Sequence, residues 1–314
     1  MNLESVRAFV AVAEEGQFRH AAGRLGVSQQ AVSKRIAALE SALGVPLFTR
    51  LPTGAALTAD GRTFLPHARA VLVAVRQAVE SVQSETRPLR VHVLGNGLAP
   101  AALMKDFHRE NPGVPLEIMM LAGVDAAVRA LLDGEIDAGY VYLREPVRDI
   151  DPRLDGTLAY LENFEIITGD RHPLADAKSV TLTELSAYTA WVPGIVEGSE
   201  WGDFYRELAE DFGLAIDSTG PDFGMESLLD SISASRSLVT FYGDLTSVAW
   251  LGQHRSLKRV PLTAPTPAYP WSLIWHANNH HPGLRELIRH THEHAPPPPG
   301  TTLWLPRPAR PKAP

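Results

Sequence analysis

The sequence predicts a multidomain α+β chain: a small helical head closed by a hairpin, one long linking helix, and a body built as two α/β halves. Three observations carry this. Short helical periods broken by glycine fill roughly the first sixty residues, a sustained heptad spacing follows, and strands and helices alternate after Arg87-Pro88. At 314 residues the chain suits two or three cores rather than one.

In the head, "LESVRAFVAVAEEG" places Leu3, Val6, Phe9, Val10 and Ala13 at helical spacing and stops at Gly16. "RHAAGRLG" gives a second short helix, with Ala21, Ala22 and Leu25 apolar and Gly26 ending it. Ser28 is a natural N-cap for a third helix reaching about Leu43, because its side-chain oxygen can accept from the unpaired amides of the next turn. That helix buries Val27, Val32, Ile36 and Leu39 and leaves a face of serine, glutamine, lysine and arginine. "ALGVPLFTRLPTGAALT" then sets Pro46, Pro52 and Gly54 between β-prone pieces, predicting a hairpin. Helix, short turn, helix and hairpin outline a winged helix-turn-helix over residues 1–60, with the third helix free to enter a major groove.

Residues 61–87 are a different segment. Leu65, Ala68, Leu72, Val75, Val79 and Val82 are spaced three, four, three, four, three, a seam that pairs helices. Pro66 is expected in the first turn, where a missing amide costs little. The polar flanks Arg69, Arg76, Gln77, Glu80 and Gln83 favour a dimerising linker over a helix packed only on its own domain.

The body alternates: "LRVHVLG" strand, "APAALMKDFHREN" helix, "LEIMML" strand, "VDAAVRALLDG" helix, "IDAGYVYL" strand. A second series runs through "FEIITGD", the helical stretch Glu200–Gly213, "MESLLDSISAS" and "SLVTFYG". "YPWSLIWHA" and "PGLRELIRHTHEH" close it. A mainly parallel sheet in two subdomains is expected over 88–296, the first from about 88–162 plus 268–296 and the second from about 163–267, with a ligand cleft between them. The proline-rich stretch 297–314 is expected to be extended or disordered.

Composition narrows the function. Hydrophobic content of 45% and charged content of 21% are ordinary for a globular protein. The absence of cysteine excludes disulfides, thiolate metal sites and thiol catalysis. Acids inside the first apolar run argue against a signal peptide, and no apolar run is long enough to span a membrane, so a cytoplasmic protein is expected. Net charge is −7, yet residues 1–62 hold seven Lys/Arg against five Asp/Glu, leaving twenty-two bases and thirty-one acids for the rest. A mildly basic head on an acidic body fits a nucleic-acid reader joined to a domain with another task. An enzyme is not expected, for there is no Gly-x-Ser-x-Gly elbow, P-loop or dinucleotide fingerprint. His290 and His294 stand one helical turn apart, a ligand pair in principle; without HExxH or cysteine the expectation is adventitious nickel or zinc binding, with no functional metal and no cofactor. A pure solute-binding protein would fit the body but not the head.

Taken together, "LESVRAFVAVAEEGQFRHAAGRLGVSQQAVSKRIAALESALGVPLFTR", "LTADG", the heptad linker, "LLDGEIDAGYV" and "DRHPLA" resemble the LysR-type transcriptional regulators over nearly the whole chain. The resemblance implies a DNA-binding winged helix-turn-helix, a dimerising linker and a two-subdomain effector domain similar to periplasmic solute-binding proteins. The implied partners are double-stranded promoter DNA, a small-molecule effector, further copies of the chain as dimer or tetramer, and RNA polymerase; no membrane is implied.

By that resemblance the DNA-binding positions are Ser28, Gln29, Gln30, Ser33, Lys34, Arg35, Arg50 and Thr53. Gln29 and Gln30 can pair with base edges, glutamine to adenine being a natural bidentate fit. Ser28, Ser33, Lys34 and Arg35 suit phosphates, which fix register. The chain departs from the family pattern at Gln30, usually proline, and at Thr53, often arginine. The first adds a donor and the second weakens the wing electrostatically. For the effector, the resemblance points to Gly95, Asn96, Gly97 and Leu98, then Val192, Pro193 and Gly194, then Phe223, Gly224 and Met225. "GNG" could present amides to an anion at a helix start, a simple turn being the alternative. Arg236 could clamp a carboxylate, the alternative being an ordinary surface arginine. Trp191, Trp201, Trp250, Trp271 and Trp275 could line an apolar pocket, with core packing the default at any one of them.

Overall fold

The computed structural model describes residues 2–51, 54–83, 87–245, 256–294 and 302–307. The chain divides into two compact units, Met1–Ser84 with Leu132–Glu135, and Glu85–Leu131 with Ile136–Pro314.

The first unit begins with α1 (Leu3–Glu15), α2 (Phe18–Leu25) and α3 (Gln29–Leu43), followed by the hairpin β1 (Phe48–Leu51) and β2 (Gly54–Leu57) and by α4 (Ala59–Gln83). Asn2 caps α1 by accepting from the Ser5 amide, and Ser28 caps α3 by accepting from the Ala31 amide. The core joins Val6, Phe9 and Val12 of α1 to Ala21, Ala22, Val32, Ile36 and Leu39. Phe9 lies 5.3 Å from Phe48 of the hairpin and 5.2 Å from Phe64 of α4, ring centre to ring centre, so both elements share this core. Glu40 of α3 accepts the amides of Leu47 and Phe48, fixing where the hairpin leaves. Its turn end is held by the Ala55 amide donating to the Gly16 carbonyl at 2.8 Å. Gly54 is obligatory there: its φ is +151°, and a Cβ would stand 2.3 Å from Gly16 O.

In α4 the structure differs from expectation at Pro66. Thr58 accepts from the Gly61 amide and starts the helix at Ala59, so Pro66 lies in its interior and leaves the Arg62 carbonyl without its usual donor. Of the heptad seam, Leu65, Ala68 and Leu72 pack into the core, whereas Val79 is 49% exposed. The side chain of Val82 lies outside the described residues.

The second unit contains β3 (Leu89–His92), α5 (Ala99–Glu110), β4 (Leu116–Met119), α6 (Gly123–Leu132), β5 (Ala138–Val141), α7 (Val147–Ile150) and β6 (Leu154–Gly169). Then come β7 (Val180–Thr181), α8 (Leu182–Leu185), β8 (Thr189–Trp191), α9 (Glu200–Phe212), β9 (Ala215–Asp217), α10 (Met225–Ala234) and β10 (Leu238–Gly243). The last described elements are β11 (Leu257–Thr263), β12 (Thr266–His276), α11 (Pro282–His294) and β13 (Leu303–Trp304).

Among the described residues the strands form a mixed sheet in the order β4-β3-β5-β12-β6-β10-β8-β9. Its ends are parallel, β4-β3-β5 in one lobe and β10-β8-β9 in the other. β6 crosses between them: Leu154–Asn163 run antiparallel to β12, while Phe164–Thr168 pair with β10 and Glu165–Gly169 with β11. The antiparallel centre is what the expectation of a mainly parallel sheet lacked. Leu154–Asn163 show no clean period-two burial. β11 carries Lys258, Arg259 and Pro261, residues that read as loop.

Asp137 ties the first lobe together. Buried at 1% exposure, it accepts from both Arg87 guanidinium nitrogens at 2.6 and 2.7 Å, from the Arg90 amide at 2.9 Å and from Asn279 at 3.0 Å. Burial opposes its charge, but the Arg87, Arg90 and Asn279 donors hold the carboxyl well below the usual range.

The tail corrects the sequence expectation of disorder for its middle. β13 pairs with the start of β12, Trp304 donates to Asp211 at 2.9 Å and its ring stands edge-on to Phe204. A large aromatic that finds both an apolar face and a hydrogen-bond partner anchors six residues that composition reads as loose.

Candidate functional site

Two surfaces could carry chemistry. The first is the opening of α3. Val32, Ile36 and Leu39 are buried beneath it, while Gln29, Gln30 and Lys34 are exposed and Ser33 is half-buried. Gln29 and Gln30 follow the cap directly, so their side chains stand in the first turn beside unpaired amides and the positive end of the helix dipole. Arg35 is not free: it pairs with Glu4 of α1 at 3.3 Å. Ser28 spends its hydroxyl on the cap. Arg50 lies on β1 opposite Ala55, its side chain outside the described residues, as is all of Thr53.

The second is a cavity of about 450 Å³ within the second unit, where β6 passes from one lobe to the other. Leu94 and Leu98 enter it from the β3–α5 loop, and Phe164, Trp201, Tyr205 and Phe241 form much of its wall. Trp201 stacks on buried Tyr269 at 4.2 Å with 13° between planes, so this wall is rigid. Burial pushes the Tyr205 and Tyr242 hydroxyls up, keeping both as neutral phenols.

Three acids also line this cavity: Glu162, Glu200 and Asp222. Glu162 is 1% exposed, and its carboxylate accepts from Trp271 Nε1 at 2.7 Å. A Cβ at residue 243 would lie 1.7 Å from Glu162 Oε1, so Gly243 is what allows this carboxylate into the wall. Asp222 accepts from the Gly224 amide at 2.8 Å. Glu200, the first residue of α9, accepts from the Val124 amide at the opening of α6 at 3.3 Å, joining the lobes across the cavity. Lower down, Arg144 after β5 joins them again, binding Asp203 at 2.5 Å and Glu207 of α9. Arg206 and then Arg144 hold Asp203 below the ordinary carboxylate range.

The structure gathers Leu98, Val192, Pro193, Gly194, Gly224 and Met225 around this cavity. Gly95, Asn96 and Gly97 form the turn before α5 and do not line it; Asn96 is exposed. Phe223 is 77% exposed and Arg236 is exposed beyond α10; neither lines it. Among the tryptophans, Trp201 lines the wall, Trp271 stands behind it holding Glu162, and Trp191 donates to Thr219 O. Trp250 lies outside the described residues. Sequence reasoning missed Glu162, Glu200 and Asp222; Glu162 alone has a local signal, an acid inside the apolar strand "YLENFEIITG".

A helix-turn-helix head on a long helix, followed by a two-lobed body around a cavity, is the construction of a ligand-responsive regulator. Residues 3–62 match the family described as bacterial regulatory helix-turn-helix protein, lysR family, and residues 83–296 match the LysR substrate binding domain. The chain belongs to the LysR family of transcriptional regulators. It is 35% identical over 192 residues to the HTH-type transcriptional regulator ShiR of Corynebacterium glutamicum (strain R), a match covering 59% of this chain and 64% of that relative's length. Its fold is similar to a full-length OxyR variant from Pseudomonas aeruginosa, with a TM-score of 0.67, 23% identity and 93% and 95% of the two chains covered. It is also similar to full-length CbnR complexed with its target DNA, with a TM-score of 0.59, 21% identity and 93% and 99% covered. Among the described residues no helix is long and apolar enough to cross a membrane.

Proposed function

We propose that this chain is a sequence-specific DNA-binding regulator that controls promoters in response to a small molecule, and that it is not an enzyme. The observation that carries this is the opening of α3: two exposed glutamines and a lysine on a helix whose back is buried and whose start is capped. In a dimer or tetramer, paired α3 helices reach successive major grooves roughly 34 Å apart. The half-exposed seam of α4 supports pairing. Gln29 and Gln30 read bases, Lys34 holds phosphate, and Arg35 reaches phosphate only by leaving Glu4. At the promoter the bound assembly is read by RNA polymerase. The two lobes follow the domain division at about Asn163 and Ala268, where β6 and β12 cross.

The cavity supports an effector of definite chemistry. No Lys, Arg or His is among its described lining residues, whereas three carboxylates and several aromatic faces are. A carboxylate ligand would meet like charge there, with no described cationic side chain to offset it. An organic ammonium with an apolar body instead finds opposite charge and ring faces suited to cations. The earlier expectation of an anion dock at "GNG" and a clamp at Arg236 gives way to this.

Binding of the full-length protein to genomic fragments, selected and then measured by fluorescence anisotropy against random duplexes, tests the first part. No preference for any fragment, with or without metabolites, would end the proposal. For the second part, aromatic and aliphatic amines are compared with their isosteric acids for a shift in DNA affinity or in intrinsic tryptophan fluorescence. A response to the acids alone would exclude the cationic effector while leaving DNA binding intact.

A further inference from the structure

One side-chain cluster away from both sites is arranged as metal ligands. Glu110 is the last residue of α5, and His290 and His294 stand on the last turns of α11. His290 Nδ1 lies 3.2 Å from Glu110 Oε2 and His294 Nε2 lies 3.7 Å from the same oxygen. All three ligand atoms fall within 4.8 Å of one another. A tetrahedral zinc ion with bonds of roughly 2.0–2.1 Å sets its ligand atoms about 3.3–3.4 Å apart, a value the two N···O separations bracket.

Three further features suit an ion. His294 Nδ1 is 2.8 Å from the His290 carbonyl, which can only accept, so the ring proton sits on Nδ1 and the lone pair on Nε2 faces Glu110. A backbone carbonyl holding the remote ring nitrogen is how ligating imidazoles are generally oriented. His290 is 5% exposed and edge-on to Phe107 at 5.5 Å, so its ring is fixed before an ion arrives. α5 ends here at Glu110, with the last described turn of α11 beside it, so the negative end of the α5 dipole lies at the cluster. The opposing charge is Arg109, 69% exposed at its side chain and 3.9 Å from Glu110 Oε1. Two imidazoles with one carboxylate favour zinc over magnesium or calcium, which take oxygen.

We propose that Glu110, His290 and His294 bind one Zn(II), water taking the fourth position, and that the ion fastens α11 to α5. The sequence showed only the histidine pair and set it aside as adventitious. Glu110, contributed by a helix far earlier in the chain, turns the pair into a three-ligand site. The proposal does not depend on the DNA or effector reading.

The full-length chain, stripped with chelator, is titrated with zinc sulfate by calorimetry, and the retained metal is counted after gel filtration. One ion per chain is expected, with a rise in Tm. Glu110→Gln and His294→Ala, both at well-exposed side chains, should each weaken zinc binding about tenfold or more and remove the Tm rise. His292→Ala, exposed on the same helix, should change neither. Zinc binding unaltered by Glu110→Gln and His294→Ala would place the ion on other histidines and overturn the proposal, as would failure of the stripped protein to take up zinc.

Discussion

Replacing Asp137 by asparagine should cost this protein more stability than most single substitutions. The carboxylate is buried and receives four donors besides the weaker Arg90 Nε contact at 3.3 Å. Arg87 is itself only 18% exposed, so removing its partner's charge leaves a cation largely out of water. Breaking a buried pair by deleting one partner costs about 3–5 kcal/mol, while exposed pairs such as Arg148–Asp155 are worth about 0–1 kcal/mol. Urea unfolding of the second unit, followed by tryptophan fluorescence, measures the difference. The pH dependence supplies an independent check. Asp137 titrates below its unfolded value, so its contribution is present above about pH 4–5 and is lost as pH falls through the folded value. The wild type should lose stability on acidification more steeply than Asp137→Asn, and the two curves should converge. A loss under about 1 kcal/mol at neutral pH, with parallel acid profiles, would refute the reasoning.

Gln29→Ala should relax base preference by about 1–3 kcal/mol at one operator position, whereas Lys34→Ala should weaken all duplexes alike and shallow the salt dependence by about one charge; competition binding across single-base operator variants at several salt concentrations separates them. Gly54→Ala forces a Cβ to within 2.3 Å of the Gly16 carbonyl, so the turn end of the hairpin must shift and the head's melting temperature and operator affinity should fall together in calorimetry and anisotropy. Glu162→Gln keeps an oxygen that can accept from Trp271 and should cost little stability, yet reduce the affinity of an amine effector by roughly tenfold or more; unchanged affinity in a fluorescence titration would remove Glu162 from the site.

The head was legible because its determinants are local. Glycine stops, the Ser28 cap and apolar positions three and four apart are written within single helices, and side chains at those spacings share a face whatever the rest of the chain does. The body was legible where helices and parallel strands alternate, and illegible at its centre. The first ten residues of β6 pair only with β12 and mix buried, half-buried and exposed positions, so they lack an alternating signature. The cavity was least legible: Leu94, Glu162, Trp201, Asp222 and Phe241 come from different strands, loops and a helix, and only the crossing of β6 assembles them. Candidates drawn from glycine-rich turns divide between the cavity lining and positions outside it. Gly194 and Gly224 reach the space, while Gly95, Gly97 and Arg236 stay outside it. Tail residues 302–307 take the extended form of the two expected, but proline content says nothing of where a single tryptophan can dock.

That β6 and β12 serve both lobes without interruption bears on how a signal can travel. Their pairing carries a register irregularity at Trp271/Ser272, beside the indole that donates to Glu162. The two strands thus set the Glu162 wall of the cavity on the stretch of chain that runs from one lobe into the other.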